Sequence, residues 1–260
     1  MLPRIRLVAV TLALVAGQFA VVAGAQDRIR FELEANLWDP DASGGIRIVE
    51  RNIGATIDLD SDLGLVGDEI SDLRLTFHPS RRTEIRFTQV PLSYSGDQIV
   101  SRTLEFAGEV FTVSTRVVSV LDLDYFRAGF AWQFLASDDN RFRFGPLLEI
   151  KGFDGEASLA APDLGAPISV SEEFEVAFGS AGVALDLEPT ERIHIFGEFS
   201  VLVGSDEGDQ TEFEAGIRIQ ISGPLGVQAG FRSIELDYED ENDAIDLDID
   251  GVFFGASLRF

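Results

Sequence analysis

The sequence predicts an all-β fold, and three observations support that prediction. Apolar and polar residues alternate with a period of two over many long stretches, which is the pattern of a strand with two different faces. The links between these stretches alternate between short and long, and no segment after residue 25 has a convincing helical period. Together these observations predict a closed antiparallel transmembrane β-barrel of about ten strands, with eight or twelve strands as alternatives.

The composition limits the functions that the chain can have. It has 260 residues, with 45 Asp and Glu against 20 Lys and Arg, a formal net charge of −25 and no cysteine. Nucleic-acid binding needs clustered Lys and Arg, so we expect no nucleic-acid partner. The lack of cysteine excludes a disulfide scaffold and thiolate chemistry. A hydrophobic content of 45%, with 21 Phe, is high enough to bury a core and argues against disorder.

The first 25 residues are expected to be a secretory signal peptide. Arg4 and Arg6 precede an apolar run over residues 7–22, and residues 23–25 (Ala-Gly-Ala) match a signal-peptidase site. A membrane anchor is the alternative, because the run approaches the length of a spanning helix. Residues 26–260 then form one barrel domain, in which no segment reaches 18 consecutive apolar residues.

The alternation predicts ten strands, most of them near or above the roughly nine to eleven residues that a tilted membrane strand needs. They cover residues 28–38, 71–78, 83–94, about 112–135, 141–153, 174–187, 192–203, 211–222, 225–238 and 245–260. In the third strand the apolar face changes phase between Phe87 and Val90. This slip predicts a β-bulge near Gln89 and Pro91.

The lengths of the links indicate how the strands are arranged. Short links cover residues 79–82, 136–140, 188–191 and 223–224, and longer ones cover 39–70, 95–111, 154–173, 204–210 and 239–244. Short turns at one end and longer loops at the other are typical of an outer-membrane barrel with both termini in the periplasm. A soluble lipocalin-like barrel is the nearest alternative. Within the first long link, residues 45–58 could form an extra hairpin or a short plug.

The last predicted strand alternates up to an aromatic terminal residue. Counting back by twos from Phe260 gives an entirely apolar face: Leu258, Ala256, Phe254 and Val252. Here the sequence resembles the final strand of bacterial outer-membrane barrels, and the mature chain resembles small OmpA/OmpX/OmpW-type barrels more loosely. The resemblance implies that these five residues form a barrel-assembly signal. It also implies an outer-membrane location in a Gram-negative bacterium, and the barrel-assembly machinery and periplasmic chaperones as partners.

The two faces of the strands predict a lipid surface and a lumen. Hydrocarbon cannot satisfy free backbone groups, so membrane strands must close into a barrel. The lipid face would carry Ile29, Phe31, Leu33, Leu73, Leu75, Phe77, Ile193, Ile195, Phe199, Phe213, Ile217, Ile219 and Phe254. The aromatic residues near strand ends would form interfacial girdles: Trp38, Tyr94, Trp132 and Tyr238. The lumen face would carry Arg28, Arg30, Glu32, Glu34, Arg74, Glu84, Arg86, Glu149, Lys151, Glu198, Glu212, Glu214, Arg218, Arg232 and Arg259.

The mixed charges on the lumen face predict a closed or nearly closed bore. A barrel of eight to ten strands is little wider inside than its side chains, so opposed carboxylates and guanidiniums would fill it with ion pairs. We therefore expect a structural envelope role with acidic external loops. A narrow channel for ions or small hydrophobic solutes is one alternative, and a surface adhesion protein that binds through loop 39–70 is another.

Enzymatic chemistry and resident cofactors are not expected. The only histidines, His78 and His194, lie beside predicted short turns, far from the outer rim. A calcium loop at Asp58, Asp60, Asp62 and Glu69 matches part of the EF-hand spacing, but Leu63 stands where that loop needs glycine. A second acidic run, at residues 246–251, lacks the final glutamate. Acidic external loops could instead share divalent cations with the phosphates of lipopolysaccharide, which does not need a complete calcium loop. Lipopolysaccharide and outer-membrane lipid are therefore also expected partners.

Overall fold

The computed structural model describes residues 30–47, 55–67, 70–139, 141–204, 208–240 and 243–260. The expected signal peptide therefore lies outside the described residues. The architecture consists of ten long strands: β1 (Arg30–Arg47), β2 (Ile70–Ser80), β3 (Thr83–Ile99), β4 (Arg116–Trp132), β5 (Phe142–Ala161), β6 (Ile168–Thr190), β7 (Ile193–Leu202), β8 (Gly208–Ser222), β9 (Leu225–Asp240) and β10 (Asp243–Arg259). In these ranges we find no helix long and apolar enough to cross a membrane.

The ten strands close into an antiparallel barrel. Each strand pairs with its neighbour in sequence, and β10 pairs with β1 from Glu32 opposite Arg259 to Arg47 opposite Ala244. Phe31 and Phe260 extend this seam with two backbone hydrogen bonds of 3.2 and 2.9 Å. The predicted fold class and the predicted strand number are confirmed.

The barrel has two tiers whose polarity is opposite. In the turn-end tier, at the end with the short turns, β1 points Glu32 and Glu34 inward and exposes Leu37 outward. In the loop-end tier the same strand buries Trp38 inward and exposes Asp39 outward. Strand β10 inverts beside β1, since the buried Phe253 lies opposite Trp38 and Asp250 lies opposite Asp41. On β4 and β5 the outward Asp124 lies opposite Asp154. The turn-end tier therefore suits lipid outside, and the loop-end tier suits water outside around an apolar core.

This inversion explains the phase slip in the third strand, where the predicted bulge is wrong. Strand β3 pairs with β4 without a register shift from Thr83 to Ile99, through Gln89 and Pro91. Phe87 points outward and Val90 inward. The apolar pattern changes phase because the strand leaves the apolar band, while its backbone continues regularly.

Several strands are longer than predicted because they continue into the loop-end tier. Strand β5 has 20 residues and β6 has 23. At about 3.3 Å per residue and a tilt near 40°, twenty residues rise roughly 50 Å, about twice the height of a ~25 Å lipid-facing band. Much of what the sequence pattern indicates as loop is thus paired β-strand that extends beyond that band.

The aromatic girdle is wrong for two of its four predicted members. Trp38 and Tyr94 are buried inside the loop-end tier, with 0% and 1% of their surfaces exposed. They lie at the height where the barrel exterior changes to polar, but on the inner face. Trp132, by contrast, points outward near the turn end and is 53% exposed.

The loop end is filled by two segments that fold into the barrel. In the first, a stretch over residues 55–67, Ile57 lies opposite Ile46 of β1. This pairing joins the two ends of the hairpin or plug proposed for residues 45–58, whose residues 48–54 lie outside the described part of the chain. The second is a hairpin of strands Leu104–Phe106 and Glu109–Phe111. We call these two segments the plug. Their apolar side chains are buried in the core cluster: Ile57, Leu59, Leu63, Leu65, Leu104, Phe106 and Phe111.

Candidate functional site

The lumen of the turn-end tier brings together most of the charged residues predicted for it. The structure buries Glu32, Glu34, Arg74, Glu84, Arg86, Glu149, Lys151, Glu198, Glu212, Glu214, Arg218 and Arg232. Arg259 also faces inward, with 31% of its side chain exposed. Arg28 lies outside the described residues. Arg30 is exposed and forms no ion pair with the residues described here.

Arg127 of β4 is the centre of this network. Its Nη1 donates a 2.7 Å hydrogen bond to Oε1 of Glu212, which lies across the bore on β8. The same guanidinium lies 3.5 Å from Glu149 Oε1, and its Nη2 lies 3.6 Å from both Glu198 Oε2 and Glu214 Oε2. One buried cation thus joins carboxylates from three other strands and occupies the middle of the bore.

Lys151 of β5 completes the same layer. Its side chain is fully buried, and its Nζ lies 2.5 Å from Glu212 Oε2 and 3.1 Å from Glu149 Oε2. It also donates a 2.7 Å hydrogen bond to Ser200 Oγ. Buried charges remain charged only when they are paired and hydrogen-bonded, and all three donor positions of this ammonium group have partners.

A second cross-bore set lies between β2, β8 and β9. Arg74 Nη2 and Arg232 Nε both donate to Oε2 of Glu214, at 2.6 and 2.9 Å. Arg232 Nη2 also lies 2.8 Å from Asp72 Oδ2. These contacts link strands on different sides of the barrel and pair two guanidiniums with two carboxylates.

Arg232 also marks the boundary between the two tiers. The carbon of its guanidinium lies 5.0 Å from the centre of the Trp38 ring and 5.7 Å from that of Phe253. Such cation–π contacts are strongest where water is excluded. Above these rings the interior is apolar, so the charged network is covered by the core of the loop-end tier.

At the turn end the network opens into a cleft that reaches solvent. Its free volume is about 650 Å³, including the part open to solvent. His194 bonds to Asp186 through Nε2, and its Nδ1 lies 3.3 Å from Arg218 Nη1. His78 lies 3.7 Å from Glu32 and on its other side 3.8 Å from Glu84. Both histidines therefore lie at the turn end, as the sequence predicts, and both contact carboxylates.

Two carboxylates of the acidic loop predicted to bind calcium accept hydrogen bonds from the protein itself. Asp58 accepts a 2.7 Å hydrogen bond from the backbone N–H of Ser61, and Asp62 accepts one of 2.9 Å from the N–H of Asp58. Asp62 also accepts from Arg102 Nε at 2.8 Å. Glu69 lies outside the described residues. Among the described ones, no group of three or more His, Asp or Glu side chains is placed to hold a metal.

The surroundings of Asp62 lower the pKa of its carboxyl group. Burial alone would raise the pKa of the Asp62 carboxyl, but the hydrogen bond from Arg102, the backbone N–H of Asp58 and the charge of Arg102 lower it below its usual range. Arg102 also donates to the backbone carbonyl of Thr56 at 2.9 Å. The pair therefore clamps the turn of the plug to the neighbouring link rather than leaving ligands free.

The five residues implied as an assembly signal form one outward row. Val252, Phe254 and Phe260 expose 48%, 62% and 68% of their surfaces, and Ala256 and Leu258 lie between them on the same face. Arg259 and Ser257 face the lumen. The row is thus presented to the surroundings of the barrel, along the strand that closes the barrel against β1.

Among the described residues, three buried charged members of the lumen network were missed by sequence reasoning: Asp72, Arg127 and Asp186. The signal for Arg127 was present, because it continues the inward row of Leu123 and Tyr125. That row begins in the loop-end tier with apolar residues and changes to charge only at Arg127. A uniform rule that inward means polar therefore misassigns this strand.

Comparison with known proteins supports the fold only. No protein family and no curated protein matches the sequence. Among solved structures, the outer membrane protease OmpT from Escherichia coli aligns with a TM-score of 0.52 and 7% identity, over 92% of this chain and 99% of that one. The translocator domain of autotransporter NalP from Neisseria meningitidis aligns with a TM-score of 0.42 and 10% identity, over 97% of each chain. OprG from Pseudomonas aeruginosa aligns with a TM-score of 0.34 and 8% identity, over 91% of this chain and 98% of that one. The chain thus has the fold of outer-membrane β-barrels.

Proposed function

We propose that this chain is a structural outer-membrane β-barrel of a Gram-negative envelope, with a closed bore and an acidic tier that projects from the membrane. Its partners would be membrane lipid, lipopolysaccharide and, during biogenesis, the barrel-assembly machinery and periplasmic chaperones. The 25-residue leader would direct export. The exposed apolar band of the turn-end tier supports the membrane location, because large contiguous apolar surfaces are rare on soluble proteins.

One observation carries the closed bore: the lumen is occupied at two successive levels. At the level of Arg127 and Glu212, buried ion pairs cross it. Above them, the plug and the inward apolar residues of the wall form a continuous core. An ion would have to displace both the paired charges and that apolar core, and each displacement costs several kcal/mol.

Planar-bilayer recording tests this proposal. The wild-type protein is expected to give no steady unitary conductance. A variant that opens both levels is expected to conduct, and it shows that the protein inserts: Arg127, Lys151 and Glu212 are replaced by serine, and the plug segments 55–67 and 104–111 are replaced by short Gly-Ser linkers. Heat-modifiable gel mobility confirms that both proteins are folded. Steady unitary steps from the wild-type protein would overturn the closed bore and favour the narrow channel.

We also propose that the chain has no catalytic role and no resident cofactor. Both histidines are held by carboxylates in the turn-end cleft, and Nδ1 of His194 faces Arg218. Within the described part of the chain, neither histidine has a hydrogen bond to a hydroxyl side chain. Hydrolysis of casein or phospholipid by the purified protein, abolished by His194→Asn, would overturn this statement.

Divalent cations are proposed to neutralise the outer face of the loop-end tier against lipopolysaccharide phosphates. On that face carboxylates lie directly opposite one another on neighbouring strands. Asp122 lies opposite Glu156, and Glu235 lies opposite Asp248. Such like-charged pairs repel. Calorimetric titration of the folded protein with millimolar Mg²⁺ or Ca²⁺ should show binding, and its absence would remove this role.

A further inference from the structure

Strand β6 has one edge that no strand of the described chain covers. From Ile168 to Leu187 it pairs with β5. On its other side β7 pairs only from Ser180 onward, and the last backbone bond reaches Gly179 from Val203. We call residues 168–178 the open edge. At about 3.3 Å per residue it is roughly 36 Å long, and alternate residues point their backbone N–H and C=O groups away from β5.

The apolar core is incompletely covered along the open edge. Inward side chains on β5 are almost fully buried, with Phe153 at 1% and Leu159 at 2% exposed. Their counterparts on the open edge are only partly buried, although they pack against the same core: Ile168, Val170, Phe174, Val176 and Phe178. Glu172 is the one polar member of this inward row. Among the described residues, nothing pairs with the open edge, so one side of the core of the loop-end tier is only partly covered. We call this side, between the open edge and the start of β8, the lateral opening.

The opposite side of the opening holds an unpartnered polar group. Strand β8 pairs with β7 only up to Thr211, so Gln210 lies on a segment of β8 whose edge is not paired with β7. Gln210 is 2% exposed, yet neither its amide nitrogen nor its amide oxygen has a hydrogen-bond partner. A buried amide without partners costs free energy. A hydrogen-bonding group entering the opening would remove that cost.

We propose that the open edge of β6 binds an extended peptide segment of a partner protein by β-strand addition, and that the segment alternates apolar and cationic residues. An unpaired edge is a ready template for another strand. The apolar side chains would enter the opening beside Phe174 and Val176. The cationic ones would lie outside, next to Glu173 and Glu175, which are exposed on the outward face.

Charge decides between this partner and a second copy of the chain. In an antiparallel pairing of two open edges near their centres, Glu173 and Glu175 of each copy would face those of the other. Like charges across a strand pair are unfavourable. The Asp and Glu residues on the neighbouring strands add to this field, since Glu156 of β5 lies opposite Glu173. A cationic partner strand is favoured by the same groups.

Fluorescence anisotropy with a labelled ten-residue peptide of alternating valine and lysine tests the proposal. The protein is held in phosphatidylcholine nanodiscs, and empty discs correct for binding to lipid. We expect the alternating peptide to bind at least tenfold more tightly than a peptide of the same composition with all five valines first. Equal binding of the two peptides would mean general attraction to an acidic surface and would overturn the proposal.

Matched charge reversals locate the site. The double variant Glu173→Lys with Glu175→Lys should weaken binding at least tenfold. The control, Glu235→Lys with Asp248→Lys, removes the same charge from β9 and β10, which are paired on both sides, and should change binding less than twofold. An equal loss in both variants contradicts the proposal. Heat-modifiable mobility confirms that each variant is folded.

Cross-linking provides a second readout that does not depend on charge. The chain has no cysteine, so Ser171→Cys on the open edge introduces a single thiol. A peptide whose one cysteine is activated as a 2-thiopyridyl disulfide should exchange with this thiol, releasing 2-thiopyridone and leaving a protein–peptide disulfide, and should not do so with the control Ser233→Cys on β9. Equal adducts at both sites would overturn the proposal. None of these measurements depends on the bore being closed, so conductance and peptide binding can fail separately.

Discussion

The guanidinium of Arg127 lies 2.7 Å from the carboxylate of Glu212 across the bore, and both side chains are almost completely buried. The pair joins β4 to β8, which are four strands apart in the barrel. A contact of this kind acts as a strut between opposite walls. Because Arg127 also lies near three further carboxylates, removing it affects the whole layer at once.

Replacing Arg127 with methionine should destabilise the barrel by about 3–5 kcal/mol, because buried carboxylates lose their counter-charge. Unfolding in urea, followed by heat-modifiable mobility in detergent, measures the change. Arg116→Gln is the control: this arginine pairs with Asp97 at 2.6 Å, but both side chains are about half exposed, so the expected loss is at most ~1 kcal/mol. Equal losses would show that Arg127 is not a central strut.

The clamp between Arg102 and Asp62 should hold the plug in place. Arg102→Gln is expected to cost about 1 kcal/mol at neutral pH, since Asp62 is buried but Arg102 is about half exposed. It should also speed cleavage within residues 55–67 by a nonspecific protease. Arg47→Gln, which alters an exposed pair with Glu239, should leave cleavage unchanged.

The clamp also predicts a pH dependence with a definite sign. The pKa of Asp62 in the folded protein is lowered below its ordinary 3.8, so its contribution is present above that ordinary value and is lost as pH falls through the folded value. The stabilities of wild-type protein and Arg102→Gln should therefore differ at pH 6, and the difference should shrink progressively as the pH is lowered from 3.8 to 2. A constant difference across this range would contradict the assignment.

The outward acidic face should behave in the opposite way. Burial, together with the charges of Asp154 and Asp122, raises the pKa of Asp124 above its usual range. A group with a raised folded pKa contributes stability below its unfolded pKa, and that contribution is lost as pH rises through the folded pKa. Asp124→Asn should therefore stabilise the protein at pH 7 by a few tenths of a kcal/mol, and the gain should vanish at low pH.

A matched aspartate reverses the expected sign. Hydrogen bonding to Arg116 lowers the pKa of Asp97, so Asp97→Asn should destabilise at pH 7, and the loss should shrink as the pH falls below the ordinary aspartate value. Thermal unfolding in detergent from pH 2 to pH 7 measures both variants. Stabilisation by both substitutions would mean that only net charge matters, not the local pairing.

The barrel could be predicted because the alternation of the strands and the difference between short and long links are visible in the sequence itself. It predicted Glu212, Glu214 and Lys151 in the lumen because they alternate with lipid-facing residues in the turn-end tier. It failed where the solvent outside the barrel changes. On the loop-end side of Asp39 in β1 and of Phe126 in β4, the apolar residues of the alternation point inward. For this reason the sequence pattern indicated loops where there are strands. It also assigned Trp38 to an interfacial girdle.

The open edge of β6 and the clamp on Asp62 could not have been predicted for a different reason. The open edge depends on which strand ends first, since β7 is only 10 residues long where β6 has 23. The clamp depends on how the plug packs against the link that carries Arg102. Length differences between neighbours are set by register and by packing of the plug, and neither has a period in the sequence. The aspartates at residues 58–62 fit a calcium pattern because turns and calcium loops both use side-chain oxygens close in sequence.

The height at which the barrel exterior changes from apolar to acidic can be tested with two arginine substitutions. Ile217 points outward at the middle of the apolar face of β8 and is 40% exposed. Arginine at the centre of the lipid-facing band costs about 2–4 kcal/mol in a transmembrane barrel. Ile217→Arg should therefore reduce folding into phosphatidylcholine vesicles and lower the urea midpoint.

The control places the same charge above the proposed boundary. Asp250 points outward on β10, beside Asp248, whose pKa is raised by burial and by the charges of Asp246 and Asp250. Asp250→Arg removes part of that repulsion in water, so the folded yield and the urea midpoint should be unchanged or slightly higher. If it instead impaired folding as much as Ile217→Arg, the acidic tier would have to lie within the bilayer. If neither substitution had an effect, the apolar band would not face lipid.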